Sequence, residues 1–160
     1  MGKEELDRIK LIFEELKISP EYLEHEAVIT SEDAAKTRGF ELKQGIKAIL
    51  LTNENEFVIV NIPGDKKVDI KKVAEYIGWS RNKIRMANQE EIMKKTGCEI
   101  GAVPPFGHKE KIKILVDPKI YDNKDSVFNI GLRINSVKIK TELMKKVFEK
   151  FEATENKFSK

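Results

Sequence analysis

The segment GIKAILLTNENEFVIVNI, residues 45–62, is the feature that most constrains how this chain folds. Two apolar runs of strand length flank the polar stretch Asn53 to Glu56, a pattern that predicts two strands joined by a turn. The longest apolar runs, Ala48 to Leu51 and Phe57 to Val60, fall far short of the roughly 20 residues that a helix needs to span a bilayer. No membrane association is expected.

Other elements follow from the same periodicities. Leu6, Ile9, Ile12, Phe13 and Leu16 lie at helical spacing over residues 3–17, and Pro20 ends that helix. A short strand is expected around Leu23 to Val28. TSEDAAKTRG then reads as a short helix, with Thr30 and Asp33 at capping-box spacing and Gly39 as its stop. Asp69 caps a helix over Ile70 to Ile77 that stops at Gly78. KIRMA reads as a brief strand, and Asn88 with Glu91 opens another helix that Gly97 closes. KIKILVD is a strand closed by Pro118. Strands over Ser126 to Ile130 and Ser136 to Lys140 precede an amphipathic helix from Thr141 to about Phe151, and ATENKFSK reads as a frayed end. Strands interleaved with short helices imply a mixed α/β sheet with helices packed on it.

At 160 residues the chain is expected to be one domain with a substantial core. Its 30 Lys and Arg against 27 Asp and Glu leave a net charge of +3, which permits an acidic partner without demanding one. The single cysteine, Cys98, excludes an intramolecular disulfide, and with only His25 and His108 a zinc site lacks its usual ligands. Neither a metal nor a cofactor is expected. The charged start Gly2-Lys3-Glu4-Glu5 lacks the apolar segment of a signal peptide, so a cytoplasmic, reducing compartment is expected. No P-loop, dinucleotide fingerprint or metalloprotease motif is present.

The loop GCEIGAVPPFGH, residues 97–108, is the first candidate for chemistry. Gly97 is accounted for as a helix stop. Gly101 and Gly107 are not, and Pro104-Pro105 stiffen the segment between them while removing two donors. Such a loop is either a rigid connection or a place where backbone closely approaches a ligand. Lys47 puts one cation near the start of an apolar strand, as an edge-facing lysine or as an ammonium poised over an anionic or carbonyl oxygen. Asn129 interrupts a strand in FNIG, and Gly131 suits a bulge or a close approach. His25 alternates with Leu23 and Ala27, either as a structural histidine or as a ligand contact. Cys98 lacks the His–Asn framework of a thiol enzyme. The clusters Lys66-Lys67, Lys71-Lys72 and Arg81 to Arg85 could meet phosphates or form a solvated face.

Taken in order, LEHEAVITSEDAAKTRGFELKQGIKAILL, GCEIGAVPPFG and SVFNIGLRINSVKI resemble the YbaK/ProX family of aminoacyl-tRNA editing domains. That family includes free-standing deacylases and the editing domain inserted in bacterial prolyl-tRNA synthetases. The resemblance runs from about Leu23 to about Lys140. A strand lysine, then G-x-x-P-P-F-G, then F-N-x-G is specific as a combination, although no one of the three is.

The resemblance implies an α/β (α+β) single domain over 21–151, with a mixed, mostly antiparallel curved sheet flanked by short helices. An N-terminal helix over 1–20 precedes it and the tail 152–160 follows. It implies hydrolysis of the ester joining a wrong, small amino acid (Ala, Ser, Cys or Thr) to the terminal adenosine of a tRNA, most commonly that for proline. By position, Lys47 matches the lysine that family members need for activity. Gly101, Pro104, Pro105, Phe106 and Gly107 match the loop that holds the aminoacyl ester, Asn129 and Gly131 the facing strand, and His25 and Thr30 the entry segment. His108 stands where relatives often carry an apolar or small residue. The implied partner is the aminoacylated 3′ end of tRNA, with a synthetase as a second partner and the protein a monomer or homodimer. Two rival readings share the fold: a non-catalytic module that binds tRNA ends or a synthetase, and a hydrolase of a small nucleotide ester.

Overall fold

The computed structural model describes residues 2–24 and 41–160. Helix α1 (Lys3–Glu15) is followed by β1 (Glu21–Glu24), and the expected entry strand is described only as far as Glu24. The rest of that strand and the helix read over residues 30–39 lie outside the described residues. Strands β2 (Ile46–Thr52) and β3 (Phe57–Pro63) form the hairpin read from the opening segment. Its turn is fastened by Asn53, whose Oδ1 accepts from the amides of Asn55 (3.1 Å) and Glu56 (2.7 Å).

Two helices have the predicted caps. Asp69 accepts from the Lys72 amide at the start of α2 (Ile70–Ile77), which ends at the left-handed Gly78. After the short β4 (Arg85–Met86), Asn88 and Glu91 form a reciprocal capping box on α3 (Gln89–Thr96), which Gly97 closes. Strands β5 (Lys113–Val116), β6 (Asp125–Asn129) and β7 (Asn135–Lys140) follow, then α4 (Thr141–Lys150) and β8 (Thr154–Glu155).

The strands divide between two sheets. One is five-stranded, in the order β4-β2-β3-β5-β8, with β5 parallel to both β3 and β8. The other is the antiparallel β1-β7-β6. A bridge between Gly45 and Val127 links them. Side chains alternate across a strand, so the β2–β3 register sorts the hairpin into two faces. Ala48, Leu50 and Ile59 pack with Cys98, Ala102 and Val103 on one face, while Leu51, Val58, Val60 and Ile62 pack with Val73 and Phe158 on the other. Both faces of this hairpin are therefore covered, which accounts for its near-continuous apolar sequence.

The expectation of a frayed end is corrected. β8 pairs with β5, and Phe158 is fully buried. The carboxylate of Asp117 accepts from the amides of Phe158 (3.0 Å) and Ser159 (2.9 Å) and from the Ser159 hydroxyl (2.7 Å). One apolar residue in a polar run carries no periodic signal, yet it closes a core when a buried carboxylate fixes the backbone around it.

Candidate functional site

The loop after α3 is held by its carbonyls. The Gly101 carbonyl accepts from Asn129 Nδ2 at the end of β6, and the Ala102 carbonyl accepts from the Gly131 amide at 3.0 Å. The Pro105 carbonyl accepts from Asn61 Nδ2 on β3 at 3.1 Å. His108 Nε2 lies 2.6 Å from the Pro104 carbonyl, which can only accept, so the ring carries its proton on Nε2. Burial pushes that imidazole down to about 4, so it is neutral at pH 7. The Gly107 carbonyl receives a long contact, 3.5 Å, from the Arg8 guanidinium.

The amides of the same loop are disposed differently. Pro104 and Pro105 have none, and among the described residues no group accepts from the amides of Val103, Phe106 or Gly107. Ala102 to Gly107 are nevertheless buried. A buried amide without a partner costs free energy, so these three amides are donors open to an acceptor beyond the described residues. The Phe106 ring anchors the segment, meeting Phe13, Phe128 and Phe151 at centroid distances of 5.7, 5.9 and 5.4 Å.

Gly101 is the exposed corner of the loop. Its φ is +84°, and a Cβ built there would have nothing within 4 Å. The requirement for glycine therefore comes from backbone conformation and not from crowding by any described residue. Beside it, Asn129 spends its amide N–H on the Gly101 carbonyl and leaves Oδ1 buried without a partner among the described residues. Asn61 is in the same position: fully buried, one N–H on the loop, Oδ1 unpaired. Two asparagines from two different sheets thus pin the two halves of one loop.

Lys47 stands apart from this group. It pairs with Ile62 across the hairpin, which puts it on the α2 side of β2, opposite the face of Ala48 and Asn61. Its Nζ donates to the Lys66 carbonyl at 2.8 Å. Burial lowers its pKa from the usual lysine range, a shift that nearby Asp65 opposes and Lys67 reinforces. The structure brings Gly101, Pro104, Pro105, Phe106, Gly107, Asn129 and Gly131 together, and no described hydrogen bond ties Lys47 to them. His25 and Thr30 lie outside the described residues.

Cys98 is fully buried, with its Sγ 3.5 Å from the Thr96 carbonyl, and burial pushes the thiol up to about 12. A thiol so far from ionising is no nucleophile. Among the described residues no three His, Cys, Asp or Glu side chains gather as metal ligands would. Asn61 escaped the sequence reading, although it breaks the apolar run FVIVNIP just as Asn129 breaks its own strand.

Residues 25–147 match the family described as the aminoacyl-tRNA editing domain. The chain belongs to that family. Among curated relatives of this editing domain is the multifunctional Ser/Thr-tRNA deacylase ProXp-y of Escherichia coli (strain K12), 34% identical over 122 residues, which are 73% of this chain and 72% of that protein. A proline–tRNA ligase from Thermosipho melanesiensis is 28% identical over 124 residues, 78% of this chain but 21% of the ligase. The crystal structure of a candidate trans-editing enzyme for prolyl tRNA synthetase superposes with a TM-score of 0.83 at 21% identity, over 98% of this chain and 97% of that one. At that identity the superposition establishes the fold alone.

Proposed function

We propose that this editing domain acts in trans as an aminoacyl-tRNA deacylase, removing a small mischarged amino acid (Ser, Thr, Ala or Cys) from tRNA, with tRNA for proline as the favoured carrier. The observation that carries this reading is the polarity of the 101–107 backbone, with carbonyls tied to the protein and amides at Val103, Phe106 and Gly107 left over. An aminoacyl ester is already activated, so hydrolysis needs positioning, donors for a developing oxyanion and a directed water. Water attacks the ester carbon and its carbonyl oxygen takes the charge, facing the loop amides. Collapse then expels the ribose oxygen, which takes the proton given up by the attacking water by way of the vicinal hydroxyl, leaving tRNA with a free hydroxyl and releasing the amino acid.

No Ser–His–Asp or Cys–His set is available from His108 or Cys98, which suits a reaction in which the ribose's vicinal hydroxyl orients the water. Lys47 is assigned the terminal phosphate or ribose, where a partly desolvated ammonium with donors to spare supplies charge. Its place on the α2 side of β2 suits the nucleotide end of the substrate better than the ester itself. Gly101, Pro104 to Gly107, Asn129 and Gly131 shape the ester cradle, and His25 and Thr30 the entry. The relative named for Ser/Thr-tRNA deacylation supports the choice of substrate class. Among the described residues no helix is long and apolar enough to cross a membrane, and we assign the reaction to the cytoplasm, where charged tRNA is used.

The test is release of amino acid from a panel of tRNAs charged with Ser, Thr, Ala or Cys, run beside the matching aminoacyl-adenosines. Turnover of a charged tRNA supports the reading. Binding without release would favour the non-catalytic module, and turnover confined to the small esters would favour the nucleotide-ester hydrolase.

A further inference from the structure

Helix α1 lies before the segment matched to the family, yet it touches both ends of the loop and the turn that faces it. At the first end, the Gly2 amide donates to the Gly97 carbonyl at 3.1 Å, and the Glu5 carboxylate lies against Gly97. At the other end, Arg8 reaches the Gly107 carbonyl, and a Cβ at Gly107 would stand 2.8 Å from both Ile9 and Ile12. The facing turn is held as closely: a Cβ at Gly131 would come within 2.9 Å of Glu5 Cβ. Between these contacts Phe13 packs edge-on to Phe106.

The unusual element is an ion pair between a buried carboxylate and a partly exposed guanidinium. Glu5 is 1% exposed, and its Oε2 meets Arg8 Nη1 at 2.5 Å. Burial raises the pKa of this carboxyl while Arg8 lowers it. A carboxylate buried this fully needs a cationic partner to stay charged, and Arg8, at the protein surface edge, reaches it. Here the same guanidinium nitrogen that neutralises Glu5 also faces the Gly107 carbonyl at 3.5 Å, so the pair lies between the two ends of the loop.

We propose that the Glu5–Arg8 pair on α1 is a positioning device for the ester-binding loop, setting the direction of the Phe106 and Gly107 amides without touching substrate. This rests on the deacylase reading for its kinetic consequence, but not for its structural one. Arg8→Met keeps the stem and removes the charge, leaving Glu5 buried and unpaired. Glu5→Gln with Arg8→Met removes both charges and returns stability without restoring the tie to Gly107.

The experiment measures single-turnover deacylation, melting temperature and amide hydrogen exchange at Phe106 and Gly107 in the full chain. For Arg8→Met we expect the maximal rate to fall by about ten-fold or more, since small misplacements of reacting groups are costly. KM should stay within about two-fold, as befits a group acting on the transition state alone. The double variant should melt like wild type yet keep both the slow turnover and the faster exchange at Phe106 and Gly107. Arg8→Lys should restore part of the rate. Recovery of rate together with stability in the double variant, or unchanged loop exchange in Arg8→Met, would overturn the proposal. If the wild type deacylates nothing, the functional reading fails, and the exchange measurement still decides whether α1 sets the loop.

Discussion

Replacing Gly101 with alanine separates a folding role from a ligand-binding one, because the structure gives the two different sizes. With φ at +84° and no described residue within 4 Å of an added Cβ, the cost to folding is that of the left-handed backbone. That cost is about 1–2 kcal/mol for an L-residue. At roughly 2–4 °C per kcal/mol for a chain near this size, melting should fall by only a few degrees. The open space around that Cβ is, in our reading, where the ester lies. A methyl there would push the carbonyl away from the loop amides, and losing one such donor costs about 100-fold or more in rate. The assay is single-turnover release of amino acid from a mischarged tRNA, with thermal unfolding run on the same samples. Cys98→Ser serves as the control: it exchanges a fully buried thiol for a hydroxyl of similar size, and both stability and turnover should be nearly unchanged. A folded Gly101→Ala protein with close to wild-type turnover would refute the cradle, and a dead Cys98→Ser protein would make this a thiol enzyme after all.

Three further outcomes follow from the site. Lys47→Ala loses one hydrogen bond to the Lys66 carbonyl and removes a half-buried ammonium, so folding should change little; loss of its hold on the nucleotide end should misplace the ester and slow turnover by about ten-fold or more, and near-normal rates would take Lys47 out of the mechanism. His108 titrates at about 4 in the folded chain against 6.5 for the free group, so the unfolded chain binds more protons and stability falls as pH drops from about 6.5 towards 4. That loss amounts to at most ~3 kcal/mol, and urea unfolding of His108→Gln, which keeps a donor to Pro104, should show a flatter profile. Activity should survive chelation once magnesium for the tRNA is restored; loss on zinc chelation with recovery on zinc addition would contradict the reading.

Features of this sequence are legible where the physics is local. The caps at Asp69, Asn88, Gly78 and Gly97 and the Asn53 turn depend on residues a few positions apart, and they stand where their spacing put them. Long-range choices could not be read the same way. Nothing local to KIKILVD says that it runs parallel to β3, and nothing near Phe158 points to Asp117, 41 residues away. No periodicity announces the split into two sheets or the bridge from Gly45 to Val127 that links them.

The site divides along the same line. Gly101, Asn129 and Gly131 were conspicuous as residues that disfavour their surroundings, and the structure joins them by hydrogen bonds. Asn61 sent the same signal from within an apolar strand and carries the same kind of hydrogen bond to the loop. The face that Lys47 takes was hidden, because it depends on the hairpin register and on which layer lies on each side. The reach of α1 to both ends of the loop was equally hidden, since its amphipathic pattern shows a buried face but not what that face covers.

The most direct test of the central claim is single-turnover release of amino acid from Ser-, Thr- or Ala-charged tRNA at saturating protein, timed against spontaneous hydrolysis in the same buffer. A catalytic cradle predicts release at least ~100-fold faster than the spontaneous rate for at least one of these esters, with correctly charged prolyl-tRNA left intact. Saturable binding of the same tRNAs with release no faster than in buffer would contradict it.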